Sequence, residues 1–228
     1  MIEIITNYNK IINQISASEK KHKDTKYKAQ LIAVSKTFES KKITPLLDFG
    51  HKIFGENRVQ EAYEKWMPLK NMYTDIKLHL IGPLQSNKVN QALEVFDCIQ
   101  TLDRKKIVKK IHDRLLHRKD PRRKYFMIQI NTGSEKQKSG IEVNIAEDFL
   151  TWCKENTCLD IVGLMCIPPQ EEPPELHFKV LNDLADKLLL EHRSMGMSGD
   201  FEKAIENRAT YLRLGSAIFG SRKKLFDQ

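Results

Sequence analysis

The sequence predicts an α/β chain folded as a single (β/α)8 TIM-type barrel with an additional N-terminal helix. Three observations lead there. Eight short stretches rich in branched and aromatic residues recur along the chain, and helical spacing of apolar residues fills the segments between them, the alternation that builds parallel sheets. No linker or low-complexity stretch interrupts the alternation, and 228 residues is a usual length for one such barrel, so residues 1–228 read as one domain. An open doubly wound sheet would carry a Gly-rich dinucleotide fingerprint after its first strand, and none is present.

Each element has its own justification. Ile4, Ile5, Tyr8, Ile11, Ile12 and Ile15 recur at helical spacing, so residues 3–22 predict an amphipathic helix, followed by a polar loop over 22–28. Leu31-Ile-Ala-Val34 lacks polar alternation, the mark of a parallel strand buried on both faces. Residues 41–49 predict a helix ending at Gly50, and residues 52–57 a second strand running into Asn57. Residues 59–66 are helical, 78–81 form a strand closed by Gly82-Pro83, and 86–96 are helical before a strand over 98–102. Asp103 is expected to cap a helix reaching Leu116, ahead of a strong buried strand over 125–130 that ends at Asn131. Residues 144–155 follow as a helix, 159–166 as a strand stopped by Pro168-Pro169, and 175–192 as a long helix. The last third is less regular. Residues 194–198 read as the seventh strand despite Gly196, 200–207 as a short helix, and 210–214 as the eighth strand.

Composition narrows the function classes. A hydrophobic fraction of 40% with 30% charged residues belongs to a globular chain with a sizeable core. The formal net charge is +8, but its lysines are spread along helical stretches, and the one basic run, His117 to Lys124, surrounds Pro121 without aromatics for base stacking. It reads as a solvated loop, and no nucleic-acid partner is expected. Four cysteines without a CxxC pair predict reduced thiols and no metal site. No secretory leader and no apolar run near the ~20 residues of a membrane span are visible, so the expected location is the cytoplasm, with no membrane partner.

The chemistry collects at the strand ends. In a barrel, the residues just beyond the strands share one mouth: Lys36, Asn57, Gly82, Thr101, Asn131, Met165, Ser198, Gly215 and Ser216. Lys36 is either a solvated loop residue or a desolvated amine, and a desolvated amine is a nucleophile toward aldehydes. A Gly-Ser turn after the eighth strand, with Ser198 from the seventh, matches where barrels place a phosphate. Arg213 faces opposite to Leu212 and Leu214, so it is either exposed on a terminal strand or turned into the mouth, where a guanidinium could meet a ring nitrogen. A Schiff-base lysine, a phosphate cup and such an arginine are together the requirements of pyridoxal 5′-phosphate (PLP).

Eight stretches carry a resemblance in order along nearly the whole chain. They are Ala33-Val-Ser-Lys-Thr37; Phe54-Gly-Glu-Asn57 with Val59-Gln-Glu61; residues 79–88; Ile128-Gln-Ile-Asn131; Lys138-Ser-Gly140; Gly163-Leu-Met165; Ser194-Met-Gly-Met-Ser198; and Arg213-Leu-Gly215 with Ile218-Phe-Gly220. Together they resemble the PLP homeostasis protein family. The resemblance implies a barrel similar to the amino-terminal domain of alanine racemase, carrying PLP as an internal aldimine on Lys36. It further implies Asn57 and Met165 near the cofactor, Ser198, Gly215 and Ser216 on its phosphate, and Arg213 at the pyridine nitrogen. Lys88 and Lys138 become secondary basic candidates along a route for PLP.

The same resemblance implies a PLP carrier in vitamin B6 homeostasis without established turnover, with PLP-requiring apoenzymes as expected partners; a monomer is expected, with a weak dimer the alternative. The alternative is an amino-acid racemase or decarboxylase using the same lysine. Three positions depart from the family pattern: Arg193 where an aliphatic residue is usual, Arg208 where glycine is usual, and Phe38 where some relatives have a second lysine. His79 is expected as a satisfied core histidine, Cys166 as a buried small hydrophobe, and Trp66 and Trp152 as packing residues outside the barrel.

Overall fold

A computed structural model describes residues 2–21, 27–118, 123–133 and 139–220. Eight parallel strands close a ring: β1 (Gln30–Val34), β2 (Ile53–Glu56), β3 (Lys77–Leu80), β4 (Cys98–Leu102), β5 (Tyr125–Asn131), β7 (Ile161–Cys166), β8 (His192–Ser194) and β9 (Tyr211–Leu214). Pairing of β1 with β9 and of β4 with β5 completes the closure. A two-residue strand that the sequence pattern does not predict, β6 (Ile141–Glu142), pairs with the end of β5.

Nine helices among the described residues surround the ring: α1 (Ile2–Lys21), α2 (Ser40–Asp48), α3 (Val59–Met72), α4 (Val89–Val95), α5 (Lys105–Leu116), α6 (Ala146–Asn156), α7 (Pro174–Lys187), α8 (Phe201–Glu206) and α9 (Ser216–Phe219). The additional helix α1 buries Ile4, Ile11 and Ile15 and packs against α2, α8 and α9. None of the described helices is long and apolar enough to cross a membrane.

The core has two parts because both faces of a barrel strand are enclosed. Ala33, Phe54, Leu78, Ile99, Ile128, Leu164, Leu212 and Leu214 join the helices in one apolar cluster. The barrel's interior is more polar, with Gln100, Ser194 and Arg213 all buried there. A hydrogen bond from Ser194 on β8 to Gln100 on β4 joins strands that are not neighbours in the ring, so it crosses the interior.

Three expectations are corrected. The seventh barrel strand is His192–Ser194, earlier than residues 194–198, because Gly196 adopts φ 87° and turns the chain out of extended geometry. Buried Met195 supplied the apolar signal from the loop that follows. Asp103 does not cap α5, whose N-cap is Arg104 without a side-chain cap bond; its carboxylate instead accepts from Arg104 Nη1 at 2.5 Å. Helix α3 continues through Pro68 to Met72 because Leu69 docks in the core one turn beyond fully buried Trp66.

Candidate active site

Beyond the C-terminal ends of the strands lies a cavity of about 320 Å³, lined by Lys36, Asn57, Ser198, Arg213, Gly215 and Ser216 among others. These are six of the seven site residues expected from the sequence. Met165 lies deeper, fully buried in β7 in register with Gln129 and Ser194, and does not line the cavity. Val34, Phe38, Ile81, Ile167 and Met197 supply apolar wall. Phe38 packs on Phe219 with ring centroids 5.2 Å apart.

Lys36 is carried by a tight turn at the end of β1. Phe38 N–H donates to Ser35 O at 3.2 Å, and Thr37 takes φ 67°, a left-handed conformation that a β-branched residue adopts only when its surroundings hold it there. The turn's far side faces buried Glu56. One oxygen of that carboxylate accepts from Ser35 Oγ (2.7 Å), Trp66 Nε1 (2.9 Å) and Lys65 Nζ (2.9 Å). Burial pushes the Glu56 carboxyl above its ordinary range, and Lys65 opposes that shift.

Arg213 points inward. It is 4% exposed, and its guanidinium donates to Ser194 Oγ and to Cys166 O, both at 2.8 Å. Ser194 Oγ donates to Gln100 Oε1 at 2.6 Å, and Gln100 Nε2 lies 2.8 Å from His79 Nδ1. Burial lowers the Arg213 pKa, but a guanidinium keeps its charge in such surroundings. The same burial pulls His79 down to about 3, so it is neutral and accepts from Gln100. His79 is thus the satisfied core histidine expected, and Cys166 is a buried thiol pushed up to about 12.

The remaining wall is built by close backbone approach. A Cβ on Gly82 would lie 2.2 Å from Asn57 O, and one on Gly215 would lie 3.0 Å from Val34 O, so glycine lets these segments come together at the mouth. Ser216 Oγ and Ser198 Oγ meet at 3.2 Å across the two final loops. Thr101 is buried and donates to Gly82 O at 2.8 Å, while Asn131 lines an adjoining cavity that shares Asn57 and Ile81 with the first.

Other singled-out residues lie elsewhere. Lys88 is half-buried and donates to Gln60 at 2.7 Å, and Lys138 falls outside the described residues. Arg193 and Arg208 do not reach the cavity. Both pair with Asp186 on α7 and stand over the ring of Tyr27, at 4.7 and 5.3 Å, so the two departures form one unit outside the barrel. Trp66 and Trp152 pack outside the strands as expected; Lys105 lies 4.9 Å over the Trp152 ring.

Residues 7–223 match the family model described as alanine racemase, N-terminal domain. Pyridoxal phosphate homeostasis proteins from Aquifex aeolicus and Vibrio alginolyticus are 38% and 37% identical over 204 and 232 residues, covering 86% and 97% of this chain and 88% and 99% of theirs. The chain belongs to the pyridoxal phosphate homeostasis protein family. A further family protein, from Escherichia coli K12, is 34% identical over 97% of this chain and 98% of its own length. PipY of Synechococcus elongatus, solved without PLP, superposes with a TM-score of 0.83 at 29% identity, covering 95% of this chain and 100% of that one. PipY with PLP bound superposes at 0.78 with 28% identity over the same shares. An alanine racemase of Clostridium difficile 630 shares the barrel at TM-score 0.71 and 14% identity, and 99% of this chain spans 58% of it.

Proposed function

We propose that this family member binds PLP in the cavity at the strand ends, held covalently on Lys36, and that it stores and delivers the cofactor to PLP-requiring apoenzymes rather than turning over a substrate. The observation that carries the reading is that Lys36, from the turn after the first strand, lines one cavity of about 320 Å³ with Ser198, Arg213 and Ser216, more than 160 residues later in the chain.

The residues present fit the group. PLP supplies an aldehyde that condenses with a lysine amine and a phosphate that needs hydrogen-bond donors. Lys36 stands at the mouth on a fixed turn, and the hydroxyls of Ser198 and Ser216 converge beside Gly215, where a side chain would crowd Val34. Arg213, already directed by Ser194 and Cys166, has N–H donors and no acceptor, so it leaves a ring nitrogen unprotonated. Asn57 and the apolar residues Ile81 and Ile167 would flank the ring, with Met165 in the layer below.

The lining also favours a carrier. Among the described residues around the cavity, Lys36 and Arg213 are the ionisable ones, with no carboxylate, imidazole or phenol to serve as a second base. The test is deuterium uptake at Cα when common amino acids are incubated with the loaded protein in heavy water, alongside activation of a PLP-requiring apoenzyme. Activation without appreciable exchange is expected. Rapid exchange with any amino acid would overturn the carrier reading in favour of a racemase or decarboxylase.

A further inference from the structure

Behind the Lys36 turn, on the side away from the cavity, the chain has built a charged clamp. Lys65 on α3 is nearly buried, its side chain 7% exposed, yet all three of its N–H donors are used: Ser35 O, Glu56 Oε1 and Glu61 Oε1, each at 2.9 Å. Glu61 Oε1 in turn accepts from Thr37 N–H at 2.5 Å. Glu56 accepts from Ser35 Oγ. The peptide groups on both sides of Lys36 are therefore gripped by one helix: the carbonyl before it by a cation, the amide after it by an anion.

This arrangement does more than fill space. Burying an ion pair is costly, and apolar residues would stabilise the same wall at least as well, so a pair retained here asks for a specific use. Its bonds end on Ser35 and Thr37, the two neighbours of Lys36, and Thr37 sits in a left-handed conformation that unsupported β-branched residues avoid. Helix α3 also begins only two residues after Asn57, which lines the same cavity. One rigid element thus fixes two parts of the wall.

We infer that Lys65, Glu56 and Glu61 are positioning residues that lock the Ser35–Thr37 turn and thereby set how fast PLP is released from Lys36. The inference rests on the proposal that Lys36 holds PLP, but the clamp's effect on the turn does not. A turn free to move would let the lysine amine swing from its bound geometry and admit water to the linkage, and a locked turn slows both. A carrier needs retention without permanence, so the clamp is the element that tunes it.

The test uses the full chain. Glu61 is partly exposed, so its variants keep the fold: Glu61→Leu removes the acceptor of the Thr37 amide, and Glu61→Gln keeps an oxygen there. Lys65→Met alone strands Glu56 and can unfold the chain, so it is made together with Glu56→Gln. Two readouts are taken: hydrogen exchange of the Thr37 amide without PLP, and the rate at which PLP leaves for an excess apoenzyme trap. Glu61→Leu and the double variant should each raise both rates about tenfold, the size of one lost charge-assisted hydrogen bond, and Glu61→Gln should restore most of the difference.

Unchanged exchange and unchanged release in these variants, while the wild type does trap PLP on Lys36, would overturn the clamp. Faster Thr37 exchange without faster release would overturn its role in retention. If borohydride traps no PLP on wild-type Lys36, the functional proposal fails and the retention role fails with it, while Thr37 exchange still reports whether the turn is clamped.

Discussion

Arg213 Nη1 donates to Ser194 Oγ at 2.8 Å, and that bond is the first of three that run one way across the barrel, from the guanidinium through Ser194 and Gln100 to the imidazole of His79. Each group donates to the next, so the chain faces its acceptors toward the buried cation. Ser194→Ala breaks the line, leaving one Arg213 donor and one Gln100 acceptor buried without partners. It should lower the unfolding free energy by about 1–3 kcal/mol in a urea titration, whereas Ser198→Ala at the mouth should change it little.

The far end of that chain makes a pH prediction. His79 is buried and neutral, with its pKa drawn from the usual value near 6.5 to about 3. Between those limits the unfolded chain takes up a proton that the folded chain refuses. Stability contributed by neutral His79 is therefore present above pH 6.5 and falls as pH drops toward 3, by up to about 1.4 kcal/mol per pH unit. His51, drawn by burial to about 4, adds to the same window. Replacing His79 with glutamine keeps an acceptor for Gln100 and removes the titration, so unfolding midpoints between pH 6.5 and 4.5 should fall less steeply than in the wild type. An unaltered slope would show that His79 does not contribute to the loss of stability in acid.

Gly82 is required by contact rather than by an unusual φ. Its absent Cβ would lie 2.2 Å from the carbonyl oxygen of Asn57, a backbone atom with nowhere to go. Gly82→Ala should cost about 1–3 kcal/mol and displace Asn57 from the cavity wall. Thermal melts give the stability, and a weakened PLP titration gives the displacement; a variant with wild-type values for both would show that the segments separate freely.

Ser198 and Ser216 meet at 3.2 Å where the phosphate is proposed to sit. Replacing either with alanine should weaken PLP binding about tenfold, one hydrogen bond to a charged group, without affecting the phosphate-free aldehyde pyridoxal. Equal losses for both ligands would place the phosphate elsewhere.

Much of this could be read in the sequence because a parallel barrel ties address to function. The unbroken run Leu31–Val34 marks a strand buried on both faces, and that alone puts Lys36 at the mouth. Arg213 could not be settled the same way. Alternation says it faces away from Leu212 and Leu214, but which face is interior depends on Ser194 and Cys166, 19 and 47 residues away. The sequence pattern shifts the seventh strand toward residues 194–198 because apolar residues flank Gly196, and only the backbone shows that this glycine turns left-handed. Lys65 gave no signal at all: a lysine on an amphipathic helix reads as solvated surface, and its burial appears only when α3 is laid against β1 and β2.

Whether Lys36 holds PLP is decided by the visible absorption spectrum of the purified protein, taken before and after borohydride reduction and beside Lys36→Ala. The wild type should show a yellow band that reduction abolishes while fixing a phosphopyridoxyl group on Lys36, and the variant should show no such band. A colourless wild-type protein that added PLP cannot reconstitute, or a label fixed on another lysine, would show that Lys36 does not hold PLP.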